Sequence, residues 1–392
     1  MKTVAEFDQL MNESAMIRRT MVGYYLINTI RPTQFEFLTR ILNVLRKAPR
    51  DTNGLLQLQG THNRTIFVND RYETSELEKD VFFFEHGEAE FRTYLSQLHP
   101  GFGEELKQVC DFLGSEPYDA LFTDRDGTVN NYCGRYRSSV QSAYNAIYLS
   151  RFGKTVRQTP VILTSAPLME TGIRELSVFP EAIYALAGSK GGEYIRPEGG
   201  PFSRTMPEKL ADAMTSLNAR IVDLLEEPGN RIFTQIGSGF QKKLGEITLA
   251  RQDVFGSVPE EDSMRLLTAV HTIVADLNKE GHHILVEDTG RDLELIPTLD
   301  DRKGYNKGDG LRFLVDELGL RIAGKRVLIC GDTASDVPML EAARDMGGEV
   351  TAVFVTGDKD LRKMVYDTGA RCEFVSTPDV LVAGLDRVSS GG

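Results

Sequence analysis

Apolar positions recur at helical spacing along the start of the chain, most clearly at Phe35, Phe37, Leu38, Ile41, Leu42 and Leu45. This period predicts helix from about residue 4 to about residue 50, with Pro32 suited to a helix start. Alternation replaces it over residues 55–59 and 65–68, the pattern of a β-hairpin, and helical spacing returns over 86–113. No chemical motif falls in this stretch. Residues 1–115 are therefore expected to form a mainly helical N-terminal extension, serving packing or the assembly of a homo-oligomer.

From about residue 116 short apolar runs alternate with helical stretches. Residues 118–123, 160–163, 326–330 and 350–355 predict strands, and 138–151 a helix. Such alternation implies right-handed βαβ units and a parallel sheet, an α/β fold. The spacing between strand ends is uneven. Asp124 and Thr164 stand about 40 residues apart, room for a loop, a helix and a strand, whereas Thr164 and Lys307 stand about 140 apart. The longer span predicts an inserted domain at residues 199–296. Its expected elements are helices near 207–225 and 261–279 and strand-like segments at Arg231-Ile232-Phe233, 246–249 and 283–286. The rest of the core is then 116–198 and 297–392.

Chemistry enters through four segments: Thr123-Asp124-Arg125-Asp126-Gly127-Thr128, Thr164, Asn306-Lys307-Gly308 and Gly331-Asp332-Thr333-Ala334-Ser335-Asp336. The motif acids follow predicted strands, and ligands of open α/β sheets bind beyond the carboxyl ends of the strands. Phosphate monoesters hydrolyse very slowly in water, so a catalyst must supply a nucleophile, a proton donor, neutralising charge and in-line geometry. Asp124 can attack phosphorus and form an aspartyl-phosphate. Asp126 can protonate the departing oxygen and later accept a proton from water. Asp124 and Asp332 are hard oxygen donors suited to Mg²⁺. Asp336 either binds that metal through water or orients Lys307, and Lys307 and Thr164 complete a cradle for the transferring group. These assignments predict a metal-dependent phosphohydrolase.

Composition narrows the partners. Hydrophobic residues make up 41% and charged residues 26%, ordinary for a globular chain, and the net charge of −12 argues against nucleic acid or an anionic membrane as the main partner. A locally positive pocket for a small anion remains compatible with that charge. The four cysteines form no C-x-x-C pair, the N-terminus does not read as a signal peptide, and no run of eighteen apolar residues occurs. A cytoplasmic location without a membrane anchor is the expectation.

Together the four segments resemble the signature of the haloacid dehalogenase (HAD) superfamily over roughly residues 116–385, and the insert after Thr164 is similar to its large second-position cap. That resemblance implies a Rossmann-like core with an inserted α+β cap domain. It also implies Asp124, Asp126, Asp332 and Asp336 around Mg²⁺. Three further stretches resemble trehalose-6-phosphate phosphatases: residues 187–193 ending at Glu193, the run from Lys242 through Gly245 to Arg251, and the run from Thr289 through Glu294 to Pro297. By this resemblance Lys242, Arg251, Glu294 and Glu193 contact the sugar. The implied substrate is trehalose 6-phosphate or a related phosphorylated disaccharide or glycoside; a phosphomutase and a silent sugar-phosphate-binding regulator are the rival classes. Departures from the pattern, such as Lys190 for a loop histidine and Ile296 for an arginine, cluster near the sugar and spare the core positions.

Overall fold

The computed structural model describes residues 1–29, 35–180, 182–299 and 304–390, so Pro32 lies outside the described residues. The N-terminal region comprises α1 (Val4–Leu26), α2 (Glu36–Arg46), β1 (Leu56–Gln59), β2 (Thr65–Val68), α3 (Arg71–Leu98) and α4 (Phe102–Leu113). A capping box opens α1: the Thr3 hydroxyl accepts from the Glu6 N–H while the Glu6 carboxylate accepts from the Thr3 N–H. The expected hairpin forms, pairing Leu56 with Val68 and Leu58 with Ile66 on its buried face.

Helix α3 starts well before residue 86, where apolar spacing first announces it. The reason is its buried face, which holds Glu73, Glu76, Lys79 and Asp80 beside Leu77 and Phe83. A hydrophobic period cannot reveal a helix whose inward stripe is charged.

The core continues with β3 (Ala120–Thr123), α5 (Ala143–Thr155), β4 (Val161–Leu163), α6 (Ile173–Leu176), β5 (Ala185–Gly188), β6 (Glu193–Ile195) and β7 (Pro201–Ser203). An insert follows: α7 (Glu208–Glu226), β8 (Phe240–Lys243), β9 (Glu246–Ala250), α8 (Glu260–Lys279), β10 (Ile284–Asp288) and β11 (Asp292–Pro297). The chain then returns through α9 (Lys307–Glu317), β12 (Arg326–Gly331), α10 (Val337–Asp345), β13 (Glu349–Val355), α11 (Lys359–Asp367), β14 (Arg371–Val375) and α12 (Pro378–Ser389).

The main sheet runs β14-β13-β12-β3-β4-β5-β6-β7, parallel from β14 to β5 and antiparallel beyond. Strand alternation divides its side chains between two layers. Ala120, Phe122, Val161, Leu163, Val327 and Ile329 pack with Leu311, Leu314 and Leu340 of α9 and α10. Leu121, Ile162, Leu328 and Cys330 belong to the opposite cluster, with Tyr144, Ile147 and Leu381 of α5 and α12. Strand β7 extends this sheet although it falls within residues 199–296.

The insert builds a separate antiparallel sheet in the order β10-β11-β9-β8. Ile247, Leu249, Leu293 and Leu295 bury with Leu217 and Ile221 of α7 and Leu266 and Val270 of α8. The expected strand at Arg231-Ile232-Phe233 is a 3₁₀ turn. Ile232 and Phe233 are both buried, and the turn is closed by the Phe233 N–H donating to the Asn230 carbonyl at 3.1 Å and the Gln235 N–H to the Ile232 carbonyl at 2.9 Å, local bonds in place of a strand ladder.

Charged pairs join the N-terminal region to the core. Lys79 Nζ lies 2.6 Å from Glu76 Oε1 and 3.0 Å from Asp379 Oδ1 of α12, all three side chains buried. Asp379 also accepts from Tyr144 and lies 2.6 Å from His99 Nε2. Arg18 of α1 pairs with Asp80 at 2.6 Å, and Arg135 with Asp8 at 2.5 Å. The hairpin reaches the insert as well: Thr61 N–H donates to Gln235 Oε1 at 2.9 Å, Phe67 N–H to Ser257 Oγ at 3.1 Å, and Arg64 pairs with Asp262. Among the described residues no helix is long and apolar enough to cross a membrane.

Lys79→Met strands two buried carboxylates, so it is expected to lower stability by about 3–5 kcal/mol. Arg46→Ala, which removes an exposed pair with Glu78, should cost below about 1 kcal/mol. Urea unfolding of both variants checks this, and comparable losses would show that the buried network is not what joins the two regions.

Candidate active site

Parallel pairing of β3 with β12 sets Thr123 opposite Cys330, and the Asp124 N–H continues the ladder by donating to the Cys330 carbonyl at 2.9 Å. Asp124 and Asp332 are thereby carried past neighbouring strand ends. Two glycines allow the close approach. A Cβ on Gly127, whose φ is +90°, would sit 2.1 Å from Asp332 Oδ2, and one on Gly331 would sit 2.5 Å from the Asp336 Cβ.

Lys307 is the first residue of α9, behind an Asn306 cap that accepts from the Gly308 and Asp309 N–H groups. Its Nζ donates to Asp124 Oδ1 and to Asp336 Oδ1, both at 2.5 Å. The Thr128 hydroxyl lies 3.3 Å from Asp124 Oδ2 and 3.1 Å from Asp332 Oδ1. Asp336 Oδ2 accepts from the Asp332 and Thr333 N–H groups at 3.0 Å each. Thr164 stands at the end of β4, beside β3, with its hydroxyl accepting from the Ala166 N–H at 3.2 Å.

The electrostatics follow from burial and crowding. Asp124 is pushed up to about 7, first by burial and then by the nearby Asp336 charge, against the pull of Lys307. Asp332 rises to about 8, through burial and the charges of Asp124 and Asp336. Burial acts against the Lys307 ammonium, but Asp124 and Asp336 outweigh it and hold its pKa above the usual lysine value. Carboxylate oxygens of Asp124, Asp332 and Asp336 lie within 4.8 Å of one another, a hard oxygen set able to hold a metal ion.

The Asp126 carboxylate stands apart from that set. Its Oδ1 accepts from Arg125, from Ser139 Oγ at 2.8 Å and from Asn130 Nδ2 at 3.4 Å. Arg125 is itself buried and also donates to Ser139 Oγ at 3.1 Å. Neither Ser139 nor Asn130 carries a recognisable motif, so only their place after the D-x-D turn could have pointed to them.

The sugar-side candidates divide by strand register. Ile247 and Leu249 face the helices of the insert, so Glu246, Thr248 and, across the ladder, Gln241, Lys243 and Glu294 share the other face. That face meets the core: Lys190 Nζ lies 2.6 Å from Glu246 Oε2, and Lys243 Nζ 2.8 Å from Glu246 Oε1. Lys242 is exposed on the opposite side, its ammonium 5.7 Å from the Phe240 ring centroid. Arg251 also points away from the core, donating to Asp288 Oδ1 and Ser263 Oγ at 2.8 Å each. Glu193 accepts from Ser189, whose hydroxyl also accepts from the Leu244 N–H of the insert at 2.9 Å. Sequence alone did not single out Lys243 or Thr248, since adjacent strand residues differ in facing and not in pattern.

Comparison with known proteins adds the family. The family described as trehalose-6-phosphate phosphatase, C-terminal, matches residues 121–381, and the trehalose-6-phosphate phosphatase N-terminal helical bundle domain matches residues 3–101. The alpha,alpha-trehalose-phosphate synthase (UDP-forming) 2 of Aphelenchoides avenae is 32% identical over 81% of this chain, which spans 26% of that protein. A trehalose-phosphatase of Caenorhabditis briggsae is 28% identical over 99% of this chain and 97% of its own length. The structure of Aspergillus fumigatus trehalose-6-phosphate phosphatase aligns over 74% of this chain and 98% of its own, at 17% identity and a TM-score of 0.40. The first listed relatives are much longer than this chain, which spans about a quarter to a third of them. With residues 121–381 matched by the C-terminal family model and residues 3–101 by the helical bundle ahead of it, the chain belongs to the trehalose-6-phosphate phosphatase family.

Proposed function

We propose that the chain hydrolyses trehalose 6-phosphate to trehalose and phosphate through an aspartyl-phosphate on Asp124. The carrying observation is the buried cluster at the ends of β3 and β12, where a lysine holds two carboxylates and a third stands beside them. Family membership and the trehalose-phosphatase names of several relatives support the choice of sugar.

In this scheme an Asp124 oxygen attacks phosphorus in line with the departing sugar oxygen, and the P–O bond to the sugar breaks. Asp126 gives its proton to that oxygen, then takes one from the water that attacks the acyl-phosphate, which restores Asp124. Asp126 Oδ1 is held by three donors, while Oδ2 makes no hydrogen bond to protein among the described residues and is left to carry the proton. Lys307 fixes the orientation of Asp124, and Lys307 and Thr164 face the transferring phosphoryl group. Asp124, Asp332 and Asp336 would hold Mg²⁺, which when bound offsets the repulsion between these carboxylates and an anionic phosphate.

Residues 199–296 act as the specificity cap over the core of 116–198 and 297–392, with 1–115 as the N-terminal region. Glu294, Lys243 and Thr248 on the core-facing side of the cap take the sugar hydroxyls; the Thr248 hydroxyl is buried and has no partner among the described residues. Glu193, at the cap boundary, orders the loop around Ser189. The four cysteines are unbonded, which suits a reducing cytoplasm.

Phosphate release measured with Mg²⁺ should give a higher kcat/KM for trehalose 6-phosphate than for sucrose 6-phosphate. Asp124→Asn should lower turnover at least about a thousandfold while substrate still binds; retained turnover removes Asp124 as nucleophile. Glu294→Ala should raise KM for trehalose 6-phosphate by about tenfold and leave p-nitrophenyl phosphate unaffected, as one charge-assisted hydrogen bond to the sugar would be lost. Equal effects on both substrates would take Glu294 out of the sugar site.

The raised pKa values give a metal test. Both carboxylates sit above the value they hold in the unfolded chain, so without a cation their contribution to stability is lost as pH rises from about 4 to about 8. Protons and Mg²⁺ compete for them, and affinity should be at least about tenfold weaker at pH 5 than at pH 8. The rise in Tm on adding Mg²⁺ should therefore be larger at pH 8, and equal rises at both pH values would count against these ligands.

A further inference from the structure

The N-terminal helix α3 lies along the loop that carries Asp126. The Tyr72 hydroxyl is 3.1 Å from Asn130 Oδ1 and 2.8 Å from the Val140 carbonyl oxygen. One turn further, Glu76 Oε1 accepts from Asn131 Nδ2 at 3.0 Å, and the same amide donates to Asp379 Oδ1 at 2.9 Å. Glu73 Oε1 lies 3.7 Å from Cys133 Sγ. Three side chains on one face of α3 thus hold residues 130, 131 and 133.

Asn130 passes that hold inward. Its backbone oxygen accepts from the Gly127 N–H at 2.7 Å, and its Nδ2 reaches Asp126 Oδ1 at 3.4 Å and Ser139 Oγ at 3.3 Å. The amide has two ends with opposite demands. Tyr72 shares its proton between the Val140 carbonyl and the amide oxygen, while the nitrogen is turned to Asp126, to Ser139 Oγ and to the Asn131 carbonyl oxygen at 3.1 Å. Loss of Tyr72 removes the donor that holds the oxygen end away from the carboxylate, which it would repel.

We propose that Tyr72 is a positioning residue for proton transfer: through Asn130 it fixes the Asp126 carboxylate, which makes the N-terminal helical region part of the catalytic device. This rests on the phosphatase assignment above. The contribution is confined to the step in which the sugar oxygen leaves, since an alkoxide requires a proton and a nitrophenolate does not.

The test is kcat/KM of the full chain with Mg²⁺ on trehalose 6-phosphate and on p-nitrophenyl phosphate. This ratio excludes the later water step, which both substrates share. Tyr72→Phe should lower it about tenfold for trehalose 6-phosphate, part of what a general acid supplies, and change it less than about twofold for p-nitrophenyl phosphate. In an Asn130→Ala background the same substitution should have no further effect. Arg46→Gln, an exposed change in the same region, should leave both ratios unaltered. Equal losses on the two substrates, no loss on either, or a full additional loss in the Asn130→Ala background would overturn the proposal; if that background does not fold, the substrate comparison alone decides. An unaltered chain that hydrolyses neither substrate would sink the phosphatase assignment itself, and the positioning role with it.

Discussion

A single ammonium makes the centre of this molecule tenable. Lys307 stands between Asp124 and Asp336, which reach it from different strand ends, while Asp332 crowds in from the side. Two like charges about 4 Å apart repel by about 4 kcal/mol at the effective dielectric of a protein. One lysine cannot neutralise three carboxylates, and burial, reinforced by that residual imbalance, raises the pKa values of Asp124 and Asp332. The fold holds this concentration of charge because it is anchored on backbone: a parallel ladder places Asp124, and two N–H groups bind the far oxygen of Asp336.

The parts legible in sequence were those whose identity is chemistry. The acids, the lysine and the hydroxyl that phosphate chemistry would need at strand ends have few substitutes among residue types, so Asp124, Asp126, Thr164, Lys307, Asp332 and Asp336 stood out, and the structure gathers Asp124, Lys307, Asp332 and Asp336 into one cluster. The α/β alternation was equally plain, because strands buried on both faces are short continuous apolar runs such as residues 327–330.

What stayed hidden depends on facing and on buried charge. Lys242 and Lys243 are equivalent as letters, yet the period of two sends one to solvent and the other toward Lys190 and Glu246. Arg251 falls on the helix side by the same alternation. In the first turns of α3 four of the inward residues, Glu73, Glu76, Lys79 and Asp80, are charged, so a hydrophobicity count treats a buried face as a surface one. That omission matters most, because the same face touches the loop beside Asp126.

The pairing of Lys79 with Asp379 spans 300 residues of chain. Helix α3 is made 300 residues before its counter-charge on α12, so until α12 emerges Lys79 has only its neighbour Glu76 within its own helix. Closing a contact of that length comes late because the intervening loop entropy must be met first. The helices of residues 4–113 can collapse on their own apolar residues, but their seat against the core waits for α12, so removing α12 would unsettle α3, 300 residues away, as much as the strands beside it.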